Sequence, residues 1–280
     1  MSNLPRVSVI VLNWNGVNDT IECLESLKKI TYENYEVVFV DNASSGEDVK
    51  LLKKKFGKYI KLIQNDKNYG FAEGSNIAIR KVMKENKSKY VLLLNNDTVV
   101  DKKFLDELVK TGESDEKIGI VGPIIYNYYT KEIDFAGGKI NWWLARPYHL
   151  KEYFGEDTDT ITGCCILIRT DGIQKVGMFD KEYFAYFEDS DLCERFKKKG
   201  YKLKINKNSK IWHKISKSTS KHGIYHYYFA RNRMIFNKKY NNGIKKYFFI
   251  FFQRYIKRPI AKMKMSKEDY GEWVRGLGYN

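Results

Sequence analysis

The run Tyr90–Val100, YVLLLNNDTVV, constrains the fold of this chain more than any other stretch. Apolar and aromatic residues in unbroken succession, then an abrupt Asn95-Asn96-Asp97, describe a strand buried on both faces of a mostly parallel sheet. Three earlier runs repeat the pattern. Val7–Leu12 stops at Asn13-Trp14-Asn15-Gly16, Tyr35–Val40 at Asp41-Asn42, and Ile60–Ile63 at Gln64-Asn65. Between them, Asp19–Ile30, Asp48–Phe56 and a segment through Ile77, Ala78, Val82 and Met83 have helical apolar spacing. This alternation gives βαβ units, and ligands of such open sheets sit beyond the carboxyl ends of the strands. At Asp97 two readings stand side by side. One is a solvated turn before a helix capped by Asp101. The other is a carboxylate that holds a hard divalent cation and, through it, a phosphate.

The second half is less regular. Phe104–Leu108 reads as helix, and Ile118–Ile125 as an apolar run broken by Gly122-Pro123. Residues 126–160 read as a loop-rich insertion with Gly137-Gly138, Trp142-Trp143 and Tyr148. Their rings either pack or face a sugar acceptor. Thr160–Ile168 is a further strand, in which Gly163 either admits a ligand close to the backbone or forms a bulge. In MFDKEYFAYFEDSDLCERFKKKGYKL, Glu188, Asp189 and Asp191 open a helix that faces inward at Leu192, Cys193 and Phe196 and ends at Gly200. Carboxylates there cap the helix. Beside the apolar wall of Phe184, Tyr186 and Phe187, one of them can also gain affinity for protons and serve as a base. Lys202–Ile205 reads as a short strand, followed by Ile211-Trp212-His213. A lone histidine such as His213 is either structural or a metal ligand.

Charge is unevenly spread. The net charge is +16, and residues 197–280 hold 23 Lys and Arg against 3 acidic residues. Such a tail suits a polyanionic partner, nucleic acid or an anionic membrane. From His222 onward the pattern is helical. Ile244, Phe248, Phe251, Phe252 and Tyr255 form a stripe flanked by Lys245, Lys246, Arg254, Lys257 and Arg258. That describes either an interfacial helix on an anionic bilayer or a helix packed on the body with a basic outer face. Its longest apolar run, Tyr247–Phe252, has 6 residues, far below the ~18 of a membrane span. The chain enters a strand almost at once, so no secretory signal is expected. Four cysteines without CxxC spacing read as buried thiols in a reducing compartment. GxGxxG and GxxxxGK[ST] are both missing, which excludes a dinucleotide fingerprint and a P-loop.

Taken together, these stretches resemble the family-2 nucleotide-sugar glycosyltransferases of the GT-A fold, and among them the rhamnosyltransferase-like enzymes. VSVIVLNWNG, VDNASSGED, NYGFAEGSN, LLNNDT, GCCILIRTDGIQKVGMFDKEYFAYFEDSDLCERFKKKGY and YHYYFARNR follow in the family's order over about residues 5–240. The resemblance implies an α/β fold: a Rossmann-like, mostly parallel central sheet flanked by helices, with a C-terminal helical extension. It implies a catalytic domain at 1–219, with a nucleotide-sugar half at 1–100 and an acceptor half at 101–219, and a basic, aromatic extension at 220–280. Asn13, Asp41, Asn68, Asn76, Asn95, Asn96 and Asp97 would then border the nucleotide sugar, with Asp41 reading the base. Asp97, and His213 by likeness to related enzymes, would hold Mg²⁺ or Mn²⁺. Here the metal motif has a single carboxylate in place of two. Asp189, or its neighbour Glu188, would be the catalytic base, and Gly163, Trp142 and Trp143 would lie on the acceptor side.

The activity implied is inverting transfer from a UDP- or dTDP-sugar to a hydroxyl of a glycan or lipid-linked acceptor of the cell surface. The enzyme would be cytoplasmic and peripheral on the inner face of the membrane, with no nucleic acid as partner. Two other readings compete. A nucleic-acid-binding protein accounts for the basic tail and leaves the polar strand ends unexplained. A nucleotidyltransferase wants a basic Gly-rich first turn, and Asn13-Trp14-Asn15-Gly16 has no Lys or Arg.

Overall fold

The computed structural model describes residues 4–214 and 222–278. The expected boundary at 219/220 lies outside the described residues. Three βα steps and a fourth strand open the chain: β1 Val7–Asn13, α1 Val17–Leu27, β2 Tyr35–Asp41, α2 Asp48–Phe56, β3 Ile60–Gln64, α3 Gly70–Glu85 and β4 Tyr90–Asn95. After them come β5 Thr98–Val100, α4 Phe104–Glu113, β6 Ile118–Asn127, β7 Ile133–Phe135, β8 Gly138–Asn141, β9 Arg146–His149, β10 Cys165–Arg169, α5 Thr170–Val176, α6 Glu188–Lys198 and β11 Lys202–His213. Residues His222–Tyr240 (α7), Gly243–Phe251 (α8), a π-helical turn Phe252–Lys257, Arg258–Lys264 (α9) and Lys267–Gly276 (α10) form the C-terminal extension.

The central sheet runs β3-β2-β1-β4-β10-β6-β11-β5, with β7 added on β6. Its first four strands are parallel and β10 enters antiparallel. The register brings the polar strand ends to one edge. Asn13 pairs with Asp41, Asp41 with Gln64, and Leu12 with Asn95. The strand order turns back at β1, with β2 on one side and β4 on the other, and this switch point opens a crevice at that edge. Below it the core is continuous, and Val9, Val11, Leu92, Ile166 and Leu167 are wholly buried. The four cysteines are free and buried, as expected.

Three expectations change. Gly122-Pro123 does not break the sixth strand, because the partner strand yields instead. In β11 the register jumps from Asn206 opposite Pro123 to Lys210 opposite Ile124, so the bulge falls where proline has no N–H to give. The two short segments at 202–205 and 211–213 are therefore one bulged strand. The strand expected at Thr160–Ile168 begins only at Cys165, and residues before it reach toward α6 through the Thr160–Ser190 hydroxyl pair, 3.0 Å apart.

The extension shares a second core with the hairpin β8–β9. Ile140, Ala145, Tyr183, Phe187, Phe236 and Phe249 are its buried members. Asp191, fully buried, accepts from Arg195 (2.8 Å) and Tyr240 (2.7 Å) and pairs with Lys239, tying α6 to α7. Among the described residues no helix is long and apolar enough to cross a membrane.

Candidate functional site

A cleft of about 780 Å³ opens at the polar edge of the sheet. Of the residues expected at a site, Asn68, Asn95, Asn96, Asp97, Gly163, Glu188, Asp189 and His213 all line it. They come from the ends of β4 and β11, from the turn before α3, from the segment before β10 and from the start of α6, so residues more than 100 positions apart line one cleft.

The nucleotide-side residues form a polar lattice. Asn13 is fully buried below the cleft. Its amide donates to Asp41, Ser44 and Asp48, and its carbonyl oxygen accepts from Thr20 (2.9 Å) and Asn96 (3.1 Å). Asp41 is buried as well and accepts from Asn13 and the Ser44 N–H. Both therefore brace the edge from beneath. Asn42, which the sequence did not single out, lines the wall. It donates to Asn68 (2.8 Å) and the Gly70 carbonyl (3.0 Å) and accepts from Asn65 and the Tyr69 N–H. Gly70 has φ +75°, and a Cβ there would meet the Phe184 carbonyl at 2.3 Å, so only glycine lets this turn dock beside the start of α6.

Three further expected residues lie elsewhere. Asn76 is a buried brace. It exchanges two hydrogen bonds with the Phe179 backbone, at 2.9 and 3.1 Å, and does not line the cleft. Trp142 and Trp143 sit at the tip of the β8–β9 hairpin and pack on the extension, Trp142 stacked on Phe236 and Trp143 edge-on to Phe248. Trp142 is partly buried in that contact, while Trp143 stays 45% exposed. The aromatic wall of the cleft comes instead from residues before α6 and on α7, with Phe184 stacked on Tyr228 at 4.8 Å and Tyr186 edge-on to Tyr225.

Asp97 and His213 face each other across the β5–β11 junction, Oδ1 to Nε2 3.1 Å. Burial works against a charged His213 ring, but the Cys164 sulfur and the Asp97 carboxylate prevail, and its affinity for a proton is raised. Among the described residues there is no cluster of three or more His, Cys, Asp or Glu that could hold a metal. One carboxylate and one imidazole on a cleft wall nevertheless fit a cation whose remaining ligands are substrate phosphates and water.

The same cleft holds the two adjacent carboxylates. Asp189 accepts the Gly163 N–H at 2.9 Å and the Ser190 N–H at 2.6 Å. The Gly163 amide is thus committed to Asp189, and a Cβ at Gly163 would already press the Phe71 ring at 3.0 Å. Glu188 is 5% exposed, and its Oε2 has no hydrogen-bond partner. Burial, and then the Asp189 charge, push its pKa well above the ordinary carboxyl range. The backbone that delivers this pair is unusual. Tyr186 and Phe187 have φ +71° and +74°, a left-handed pair that side-chain-bearing residues seldom adopt. Asn232 of α7, fully buried, donates to the Ala185 carbonyl at 2.7 Å and the Tyr186 carbonyl at 2.8 Å and fixes that turn.

Similar proteins agree with this architecture. A hexosyltransferase of low-salt glycan biosynthesis from Haloferax volcanii is 25% identical over 205 residues, 71% of this chain and 64% of its own length. An uncharacterized glycosyltransferase of Haemophilus influenzae is 28% identical over 141 residues, 50% of this chain and 42% of its own. The chain thus spans less than two thirds of these relatives. Among solved structures, GalNAc-T7 with UDP, GalNAc and Mn²⁺ superposes with a TM-score of 0.67 at 18% identity, covering 94% of this chain and 58% of that one. A mannosyltransferase from Pyrobaculum calidifontis in complex with GDP-Man and Mn²⁺ gives 0.64 at 16% identity, covering 99% and 81%. The Glycosyl transferase family 2 model matches residues 8–177. With the GT-A sheet, the polar strand edge and this match together, the chain belongs to glycosyl transferase family 2.

Proposed function

We propose that this protein is an inverting glycosyltransferase that moves a hexose-type sugar from a UDP- or dTDP-sugar to a hydroxyl of a glycan or lipid-linked acceptor. The observation that carries this reading is the pairing, within one cleft, of the Asp97–His213 wall with the Glu188–Asp189 pair. The first suits a diphosphate and the second an acceptor hydroxyl. The nucleotide sugars and Mn²⁺ named for the structural neighbours support the donor class.

Asn42, Asn68 and Asn95 orient the nucleotide, while buried Asn13 and Asp41 hold that edge rigid. Asp97 and His213 are the residues that would hold Mg²⁺ or Mn²⁺, which when bound offsets the charge that builds on a departing diphosphate. Asp189 is the base. A carboxylate has about four lone-pair sites, and its two backbone donors and the Ser190 hydroxyl, 3.2 Å away, leave one to take the proton of an acceptor hydroxyl. Glu188, protonated at its unpartnered Oε2, donates a hydrogen bond into the cleft and adds no second negative charge beside the base. Attack from that side, opposite the leaving diphosphate, inverts the anomeric carbon. Residues 1–219 form the catalytic unit, donor half 1–100 and acceptor half 101–219. The extension at 220–280 closes the acceptor side and rests on the inner face of an anionic membrane.

Calorimetric titration with UDP, dTDP, GDP and ADP, each with and without Mn²⁺, tests the reading. Metal-dependent binding of one pyrimidine diphosphate is expected. Asp189→Asn should keep that binding and lose transfer. Failure of all four nucleotides to bind would sink the transferase reading.

A further inference from the structure

Beyond the cleft, a group of cationic and amide donors is left without an anion. Arg233 of α7 is 3% exposed. Its Nε donates to the Leu144 carbonyl at 2.7 Å, and its guanidinium lies 5.0 Å from the centre of the Phe249 ring. Arg146 starts β9 two residues beyond Leu144, on the exposed side of the same hairpin. Phe249, Gln253 and Lys257 follow one another at four-residue steps on one helix face, which meets Arg233 of α7 at Phe249 and Trp273 of α10 at Lys257. Gln253 is 1% exposed, and its side-chain N–H₂ has no partner. Lys257 is partly buried, its ammonium 5.6 Å from the centre of the Trp273 ring.

No carboxylate among the described residues balances these groups. Burial lowers Arg233 to about 9, with Arg146 adding to the fall, and burial followed by Arg233 and Arg146 lowers Lys257 to about 8. Three like charges on adjoining elements and a buried, unpartnered amide each cost stability, and such costs persist where a ligand offsets them. Gln253 and Lys257 also lie in the π-helical turn, and π-helical turns in helices concentrate at functional sites.

We propose that Arg146, Arg233, Gln253 and Lys257 form a binding site for a phosphoryl group, separate from the diphosphate wall at Asp97. A phosphoryl dianion matches the chemistry: guanidinium forks, an ammonium and an amide N–H₂ answer its several oxygens and its double charge. The same helix exposes Phe248, Phe251 and Tyr255 next to this site, so an acyl or isoprenyl chain attached to the phosphoryl group has an apolar surface to lie on. That this group belongs to a lipid-linked acceptor rests on the transferase reading; the site itself does not.

The test uses the full chain in EDTA at low salt, where diphosphate has no metal to hold it at Asp97. Inorganic pyrophosphate is titrated calorimetrically and by melting temperature. Wild type should bind and be stabilised. Arg146→Gln, on the surface, and Arg146→Gln with Lys257→Gln should bind at least ~10-fold more weakly. The ligand-free double variant should melt higher than wild type, because the repulsion is gone. Equal pyrophosphate binding by wild type and double variant would overturn the proposal, as would no binding by wild type at millimolar pyrophosphate. Vesicles distinguish the source. Binding that needs Arg146 and Lys257 and appears only with isoprenyl diphosphate in neutral lipid supports the site and names an acceptor. The same dependence on phosphatidylglycerol supports it with a headgroup, and a response to free pyrophosphate alone supports it with a soluble anion. Pyrophosphate binding by a protein that binds no nucleotide would leave this site standing and the transferase reading fallen.

Discussion

Glu188 and Asp189 are neighbours in sequence, yet their surroundings make them different acids. Asp189 meets two backbone N–H groups and Glu188 meets none at Oε2. The unfolded chain releases the Glu188 proton near pH ~4.3, whereas the folded chain keeps it to higher pH. Above the lower value the folded state therefore binds more protons than the unfolded state. Stability then falls as pH rises, by at most about 1.4 kcal/mol per pH unit for one group. Glu188→Gln removes that slope. Its melting temperature should match wild type near pH 4 and exceed it increasingly toward pH 8, and curves that stay parallel across this range would contradict the assignment. The sequence showed the carboxylate pair but could not separate its members, because the difference lies in which backbone amides reach them from residue 163. Asn76 and Asn42 teach the same lesson. Asn42 follows the second strand and Asn76 lies within α3, and only the fold decides that Asn76 meets Phe179 while Asn42 meets the cleft.

The element that delivers the carboxylates is α6, and its entry depends on α7. A left-handed pair at Tyr186 and Phe187 turns the chain sharply into the helix. Both carbonyls freed by that turn are taken by Asn232. Asn232→Leu leaves two buried carbonyls unanswered and should cost about 2–4 kcal/mol. If Asn232 positions Asp189, kcat should drop by more than tenfold (a barrier of about 1.4 kcal/mol) while the affinity for donor nucleotide stays the same. A loss of stability with kcat unchanged would make Asn232 structural alone. Periodicity and polar strand ends made the βαβ half legible, since each strand's environment is written in its own residues. The entry turn was not, because its φ values are paid for by a contact 46 residues away. Pro123 misled for a related reason: the bulge that accommodates it is in β11, not in its own strand.

At the scale of the whole molecule, the charge asymmetry read from the sequence becomes a surface. Ile244, Tyr247, Phe251 and Tyr255 on the extension are all more than half exposed, and Met263 is 86% exposed. Lys245, Arg254, Lys262 and Lys264 are exposed between and beside them. The sequence left open whether this helix packs away its stripe. The structure buries Phe249 and Ala261 instead, half-buries Phe252, and leaves Ile244, Phe251 and Tyr255 outside. Apolar side chains at bases of this density are costly in water and suit an anionic interface, where each Lys or Arg near the surface contributes about 1 kcal/mol and rings enter the headgroup layer. The protein should therefore float with phosphatidylglycerol vesicles at low salt and much less with neutral phosphatidylcholine. Raising the ionic strength to about 1 M, where the Debye length is about 3 Å, should weaken this binding without abolishing it, since the apolar part survives screening. Tyr247→Ser with Phe251→Ser should remove the salt-resistant part and leave the unfolding free energy within about 0.5 kcal/mol of wild type, as both side chains are exposed. Equal flotation with neutral and anionic vesicles, or none at low salt, would mean that this face meets something other than an anionic bilayer.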